Sequence, residues 1–315
     1  MAQLEVLDRS QFEHVGIDLR QSEQISRPPT SYWKDAIGRL MKNKVAVVCI
    51  IVLTFITLMA IFIPMLSPFS ISEQFVVYSN KGLMFKNPDV GHYHVFGTDG
   101  LGRDIFVRVW YGARISLFIA LTAVCVNFII GLIYGGISGY IGGAVDNVMM
   151  RIIEIINGIP YLIIVILLMV VLPPGPMTIV VAYAAVGWTG MARLVRGQVM
   201  GLKEQEFVIA AKVMGASASR IIAKHLIPNT LSVVIVNITL AIPSAIFTEA
   251  FLSFIGLGVP IPYASWGTLA NEGVRVFQQF PLQLIIPAIL ISITMLSFNL
   301  LGDALRDAFD PRLRR

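Results

Sequence analysis

Apolar residues in this chain gather into long stretches free of Asp, Glu, Lys and Arg, and the breaks between those stretches predict its elements. An ionised side chain at the centre of a bilayer costs roughly 2.5–3.5 kcal/mol even on a lenient scale, so charge-free windows mark helices able to cross one. Val45 to Leu66, the dense part of the first window, holds 22 residues and is closed by Pro64 and Pro68; about 20 residues suffice to cross the apolar layer. Ile115 to Val145 is the second window, expected to close near Ile137 at the glycine-rich run of Gly135, Gly136, Gly139, Gly142 and Gly143. Ile155 to Ala192 spans 38 residues, divided by Pro173, Pro174, Gly175 and Pro176. That length exceeds one crossing of a core about 30 Å thick, so it predicts a third and a fourth span joined by a tight turn. Ser232 to Phe254, interrupted only by Glu249, and Pro281 to Gly302 complete a bundle of six helices.

Composition agrees. Of 315 residues, 56% are hydrophobic and 14% charged, with a mean hydropathy of +0.76; a soluble domain carries about 25% charged residues. The expected fold class is therefore an all-α polytopic membrane protein. Cys49 and Cys125 both sit inside apolar runs, which argues against a disulfide framework or a cysteine-ligated metal.

Charge placement sets orientation. Eighteen of the 24 Lys and Arg fall in the N-terminal arm, at Arg151, in the loop between spans four and five, and in the C-terminal tail. Lys81, Lys86, Arg103, Arg108, Arg114 and Arg275 fall on the other side. Both termini are thus expected in the cytoplasm, and the net charge of +5 reads as a topology signal. Nucleic acid, which needs a basic face with reading elements, is not an expected partner. The predicted organisation begins with a disordered cytoplasmic tail over residues 1–30. An interfacial helix over 31–44 follows, with Trp33, Ile37, Leu40 and Met41 at helical spacing among Lys34, Arg39, Lys42 and Lys44. The first span covers 45–66, an extracytoplasmic loop 67–114, a core bundle 115–302 with a cytoplasmic loop at 198–229, and a cytoplasmic tail 303–315. No apolar segment precedes the first span, so no cleavable signal peptide is expected.

The loop at 198–229 carries EFVIAAKVMG from Glu206 to Gly215, and HLIPN from His225 to Asn229. Phe207, Ala210, Ala211 and Met214 repeat at helical spacing, predicting a short amphipathic helix with a small-residue stripe. Gly215 suits its end. Ser217 or Ser219 suits the cap of a second short helix, which Pro228 is expected to separate from the fifth span. An ordinary helical hairpin packed on its own bundle fits the periodicity equally well. The order of Glu206, Ala210, Ala211, Gly215 and Ile227-Pro228 resembles the EAA loop of ATP-binding-cassette (ABC) importer permeases, with Ile227 where leucine is often found and Phe207 where tyrosine is common. The resemblance implies a coupling helix that inserts into a groove of a cytosolic ATPase, with Glu206, Phe207, Ala210, Ala211, Met214, Gly215 and Pro228 as the coupling residues.

A second string, FGTDGLGRD from Phe96 to Asp104, reads by itself as a backbone nest of Gly97, Gly100 and Gly102, or as a structural turn in which Asp99, Arg103 and Asp104 pair with one another. With His94 before it, the string is similar to the signature of the C-type permease subunit of oligopeptide, dipeptide and nickel importers. Gly97, Thr98, Asp99, Gly102, Arg103 and Asp104 carry that extracytoplasmic motif. GGAVDNVMMRIIEIINGIP from Gly142, ARLVRG from Ala192, EAFLSFIGLG from Glu249 and GDALRDAFDP from Gly302 extend the resemblance in order, from about Tyr32 to Pro311.

The resemblance implies a type I ABC importer permease bundle in the plasma or inner membrane, forming half of a translocation pathway. It also implies the partners: a second, related permease in a heterodimer, two cytosolic ATP-binding subunits, an extracytoplasmic substrate-binding protein and a peptide substrate. Oligopeptide is favoured by the long outer loop, with dipeptide or nickel as alternatives. The chain has no Gly-Lys dipeptide and so no Walker A loop, so ATP hydrolysis is expected in trans and no cofactor or catalytic role here. Glu249, an intramembrane acid, is a candidate pathway residue, or is held by backbone freed at Pro243 or placed at the outer interface. His92 and His94 form a weak metal pair, and no metal site is expected. Asp303, Arg306, Asp307 and Asp310 suit a solvated helix end. A secondary transporter or channel acting alone would call for several paired intramembrane charges or an internal repeat, and the chain has one acid and no clear repeat. A membrane enzyme would call for a convergent catalytic cluster that its spacing does not provide.

Overall fold

The computed structural model describes residues 32–173, 175–260 and 262–310. The predicted tail over 1–30, Pro174 and the last residues, 311–315, lie outside the described residues. Helix α1 (Tyr32–Lys42) leads into α2 (Lys44–Leu66), which Asn43 caps by accepting the N–H groups of Val45 at 3.0 Å and Ala46 at 3.3 Å. A loop containing the short antiparallel pair β1 (Phe85–Lys86) and β2 (Tyr93–His94) follows. Then come α3 (Ile105–Ile141), α4 (Gly143–Gly158), α5 (Tyr161–Val171), α6 (Pro176–Leu202), α7 (Glu206–Val213), α8 (Ala218–Ile221), α9 (Ile227–Phe254), α10 (Trp266–Arg275) and α11 (Leu282–Phe309). Five helices are long and apolar enough to cross a membrane, and six spans result if α4 and α5, bent by 82°, count as one.

Helix α3 departs most from expectation. It starts ten residues early because Asp104 caps it, accepting the Val107 N–H at 2.7 Å, and it runs 37 residues. The glycines expected to close it lie inside it instead. Gly131, Gly135 and Gly139 recur every fourth residue and face α6, where a Cβ on Gly139 would sit 2.7 Å from the Arg196 carbonyl oxygen and one on Gly135 would strike that of Ala192. Small residues at this spacing let two helix backbones approach within an apolar medium. Gly142, at φ 69°, ends the helix.

The third span does not start at Ile155 as one straight helix. Ile159 is extended (φ −89°, ψ 126°) ahead of Pro160, because proline's ring crowds a preceding helical residue and offers no N–H. Helix α6 begins at its Pro176, a residue suited to a first turn. Pro228 does not separate the second loop helix from the fifth span. A π turn at Ile222–Leu226, in which the Ile227 N–H reaches back to the Ile222 carbonyl, carries the helical path unbroken from Ala218 to Phe254. The extra residue of such a turn makes room for a ring that would clash in a regular α-helix. Helix α11 likewise runs past Gly302 to Phe309, with Gly302 packed against Leu240.

The main core gathers Ile56, Trp110, Leu117, Val124, Ile246 and Trp266 from α2, α3, α9 and α10. On α1, Trp33, Ile37 and Met41 are exposed while Ala36 packs with Val236 and Phe309, so the interfacial stripe faces outward. Trp33 meets Phe309 edge-on at 5.5 Å, and Arg39 donates to the Asp310 carbonyl at 3.4 Å. Both ends of the described chain therefore meet at one end of the bundle.

Gly135→Val is expected to lower the thermal midpoint of the purified protein in detergent, at a cost of about 1–3 kcal/mol from overpacking. Gly136→Ala, whose new methyl would meet Ile222 at an ordinary 3.5 Å, leaves the midpoint unchanged.

Candidate functional site

Helices α7 and α8 form a hairpin at the end of the bundle shared with α1. Two residues of α7, Val208 and Ala211, are buried against Val195, Val199, Ile221, Leu226 and Val234. They anchor the helix and turn its other face out: Phe207, Ile209, Val213 and Met214 are exposed, the last two by 82% and 81%. The predicted stripe is thus divided, with Ala211 inward and Phe207, Ala210 and Met214 outward. Gly215, at φ 82°, stops the helix; its N–H reaches the Lys212 carbonyl at 3.0 Å and that of Ala216 reaches Ala211 at 3.1 Å. This paired closure needs a left-handed residue, which glycine adopts without steric cost. Ser217, rather than Ser219, caps α8 through the Arg220 N–H at 3.4 Å. Glu206 and Pro228 are exposed at either end of the hairpin.

Beneath the hairpin a polar clamp holds three elements together. Arg196 of α6 grips Asp146 of α4 with two bonds of 2.5 Å, and Ser138 of α3 donates to the same carboxylate. Lys203 donates to the Gly139 carbonyl at 3.1 Å. Such a fork-shaped pair is among the stronger charge-assisted contacts. The strings from Gly142 and Ala192 contain the two charged partners, but 50 residues separate them and no local spacing marks the pair.

At the other end of the bundle the FGTDGLGRD loop folds on itself. Asp99 accepts the N–H groups of Leu101 at 2.9 Å and Arg103 at 3.0 Å, and pairs with Arg103 Nε at 2.7 Å and with Arg108. Glu272 of α10 completes the cluster, accepting from Arg103 at 3.2 Å and from Arg108 at 2.8 and 3.1 Å. The predicted triad is thereby corrected: Asp104 pairs with neither arginine. It caps α3 and binds His94 Nδ1 at 2.7 Å, and its burial pushes the carboxyl above its ordinary range against the opposing pull of the Val107 N–H and His94. Gly97 and Gly102 do not line an anion nest. Each has positive φ and lies against the carbonyls of Lys81 and Phe75, so they serve close backbone packing, while Thr98 ties Lys81 to Tyr78.

His92 and His94 do not converge. His94 is fully buried, stacked 4.1 Å from Phe69 and bonded to Asn87, whereas His92 is exposed. No group of three metal-ligating side chains occurs among the described residues. Glu249 stands inside the bundle, 1% exposed, and accepts hydroxyl protons from Ser116 at 2.6 Å and Ser253 at 2.8 Å. Its partners are these two hydroxyls and not backbone freed at Pro243. Helix α10 opens on a capping box formed by Ser265 and Thr268.

Arg108→Met is expected to destabilise the protein by about 3–5 kcal/mol, because it leaves Asp99 and Glu272 short of a buried partner. Glu272→Gln, at a carboxylate 36% exposed, costs less. Thermal unfolding of the detergent-solubilised variants measures the difference.

Residues 128–315 match the family model described as binding-protein-dependent transport system inner membrane component, and residues 31–84 match the N-terminal TM domain of oligopeptide transport permease C. The dipeptide transport system permease protein DppC of Bacillus subtilis is 50% identical over 94% of this chain and 91% of its own length. The oligopeptide transport system permease protein OppC of the same organism is 48% identical over 98% and 99%. OppC of Escherichia coli K12 is 44% identical over 93% and 95%. A chain of the inward-facing MetNI methionine ABC transporter overlaps at a TM-score of 0.48 and 18% identity, over 64% of this chain and 96% of that one. This chain belongs to the family of binding-protein-dependent transport system inner membrane components.

Proposed function

We propose that this chain is a permease subunit of an ATP-driven peptide importer, forming half of the translocation pathway together with a second, related permease. The observation that carries the reading is the outward face of α7. Four apolar side chains stand exposed on a helix anchored by only Val208 and Ala211 and stopped sharply at Gly215. An exposed apolar face of this kind marks a site of association, and two cytosolic ATPase subunits are the partners that an importer needs. In this reading the α7 end and both termini are cytoplasmic, and Glu206, Phe207, Ala210, Met214 and Gly215 meet the ATPase. Ala211 and Pro228 shape the helix from behind. ATPase closure moves α7, and the continuous helix from Ala218 to Phe254 carries that movement through the bundle.

The loop end, with Gly97 to Asp104 and α10, faces the extracytoplasmic binding protein. Its buried charges stiffen the loop and leave its surface to the partner. ATP chemistry resides in the ATPase subunits, and this chain acts by position rather than by catalysis. The cargo is a peptide. Oligopeptide remains the preferred class on the length of the outer loop, while the similar identities of the dipeptide and oligopeptide relatives, 50% and 48%, make dipeptide the second reading. Calorimetry of the cognate binding protein with dipeptides and pentapeptides separates them: saturable binding of dipeptides alone overturns the oligopeptide assignment.

Met214→Asp is expected to abolish peptide uptake by cells and co-purification of the ATPase subunits, while the variant inserts into the membrane in normal amount. Gly215→Val, forced to a positive φ, gives the same loss through distortion of the hairpin. Normal uptake by both variants would overturn the coupling role of α7.

A further inference from the structure

Two hydrogen-bond relays leave Glu249 and end on the same helix. From Oε2 the path runs to Ser116 Oγ of α3 at 2.6 Å, and Ser116 in turn accepts the Trp266 N–H at 3.2 Å. From Oε1 it runs to Ser253 Oγ of α9 at 2.8 Å, which accepts from Ser265 Oγ at 3.2 Å. Ser265 and Trp266 are the cap and first residue of α10. Both serine hydroxyls lie within hydrogen-bond distance of the carboxyl oxygens, one on each.

Packing closes the joint around this network. A Cβ on Gly112 of α3 would lie 3.1 Å from the Ser265 carbonyl carbon, and one on Gly267 of α10 would lie 2.5 Å from the Ala250 carbonyl oxygen of α9. Trp266 is fully buried, and its indole N–H donates to the Val109 carbonyl at 3.1 Å. Helix α10 is therefore a plate fixed at two edges. Its N-terminus is held by the Glu249 cage, and Glu272 near its C-terminus is held by Arg103 of the loop and Arg108 of α3. The 37-residue helical path that bears Glu249 starts at Ala218, in the hairpin at the far end. At 1.5 Å per residue it spans roughly 55 Å.

We infer that the Glu249 cage is the joint through which docking at the loop end is passed to the ATPase-coupling hairpin, and that Glu249 is a positioning residue for energy coupling rather than a residue that touches cargo. The inference rests on the importer reading above. A buried carboxyl is costly unless it is hydrogen-bonded. A displacement of α10 against α3 or α9 breaks a relay, so the three elements move together or not at all. The acid thereby couples the plate to the rod more strictly than an apolar contact, which tolerates sliding.

The test uses the complete transporter, with partner permease and ATPase subunits, in nanodiscs, and measures ATP hydrolysis with and without peptide-loaded binding protein. Glu249→Gln puts an amide N–H₂ against a hydroxyl that now donates, and Ser116→Ala removes the α3 relay. Both variants are expected to assemble and keep basal hydrolysis, while stimulation by the loaded binding protein falls by at least about fivefold, the lower range of typical coupling between sites. If Glu249→Gln does not assemble, Ser116→Ala decides the matter. Stimulation equal to wild type in the assembled variants overturns the inference. So does a proportional loss of basal and stimulated rates, the mark of a merely structural role. A wild-type complex that hydrolyses no ATP sinks the importer reading and the inference with it, and shows itself before any substitution is made.

Discussion

The contact between α3 and α6 is the constraint on which the rest of the bundle depends. Lipid tails are as apolar as leucine, so helices in a bilayer gain little from hiding apolar side chains from one another and must gain from closeness. Gly131, Gly135 and Gly139 supply it, placing the α3 backbone directly on Met191, Ala192 and Arg196 of α6. Because α3 runs 37 residues, this one seam aligns both ends of the molecule. The Asp146–Arg196 clamp forms at one end of it, and Arg108, near the start of the same helix, enters the Asp99 and Glu272 cluster at the other.

Polar side chains then fix what the glycine seam brings near. Within the bundle a charge without a partner is expensive, and the acids are used as fasteners: Asp146 between α4 and α6, Asp99 and the half-exposed Glu272 between loop and α10, Asp104 between α3 and His94, Glu249 among α3, α9 and α10. The hairpin of α7 and α8 is built in the opposite manner. It keeps few buried contacts and exposes apolar ones, which suits a surface completed by another protein. Rigid interior and incomplete surface belong to one design, since a helix that transmits movement needs a firm base and a free face.

Much of the architecture was legible along the chain. The charge-free windows located α2, α6, α9 and α11 to within a few residues at their apolar ends, because the cost of an intramembrane charge acts on each residue separately. The EFVIAAKVMG string announced a short helix ended at Gly215, because a left-handed turn is a local demand. The departures have a common origin. In isolation glycine and proline weaken helices, so along the chain Gly135 and Gly139 suggest breaks, Gly302 a terminus and Pro228 a stop. In the fold the glycines are contacts and the proline is absorbed by a π turn.

What the sequence alone determined is the membrane class, the place of α2, α6, α9 and α11, and the helical hairpin, which follow from propensities and penalties that each residue carries within one or two turns; the family was carried by its motif strings. What only the tertiary structure decided is partnership: that Asp104 turns to His94 and not to Arg103, that Arg108 meets Glu272 from 164 residues away, that Glu249 is enclosed by serines of α3 and α9. A hydrogen bond is directional and effective over about 3 Å. Its partner is therefore settled by how helices pack, and sequence spacing does not record that.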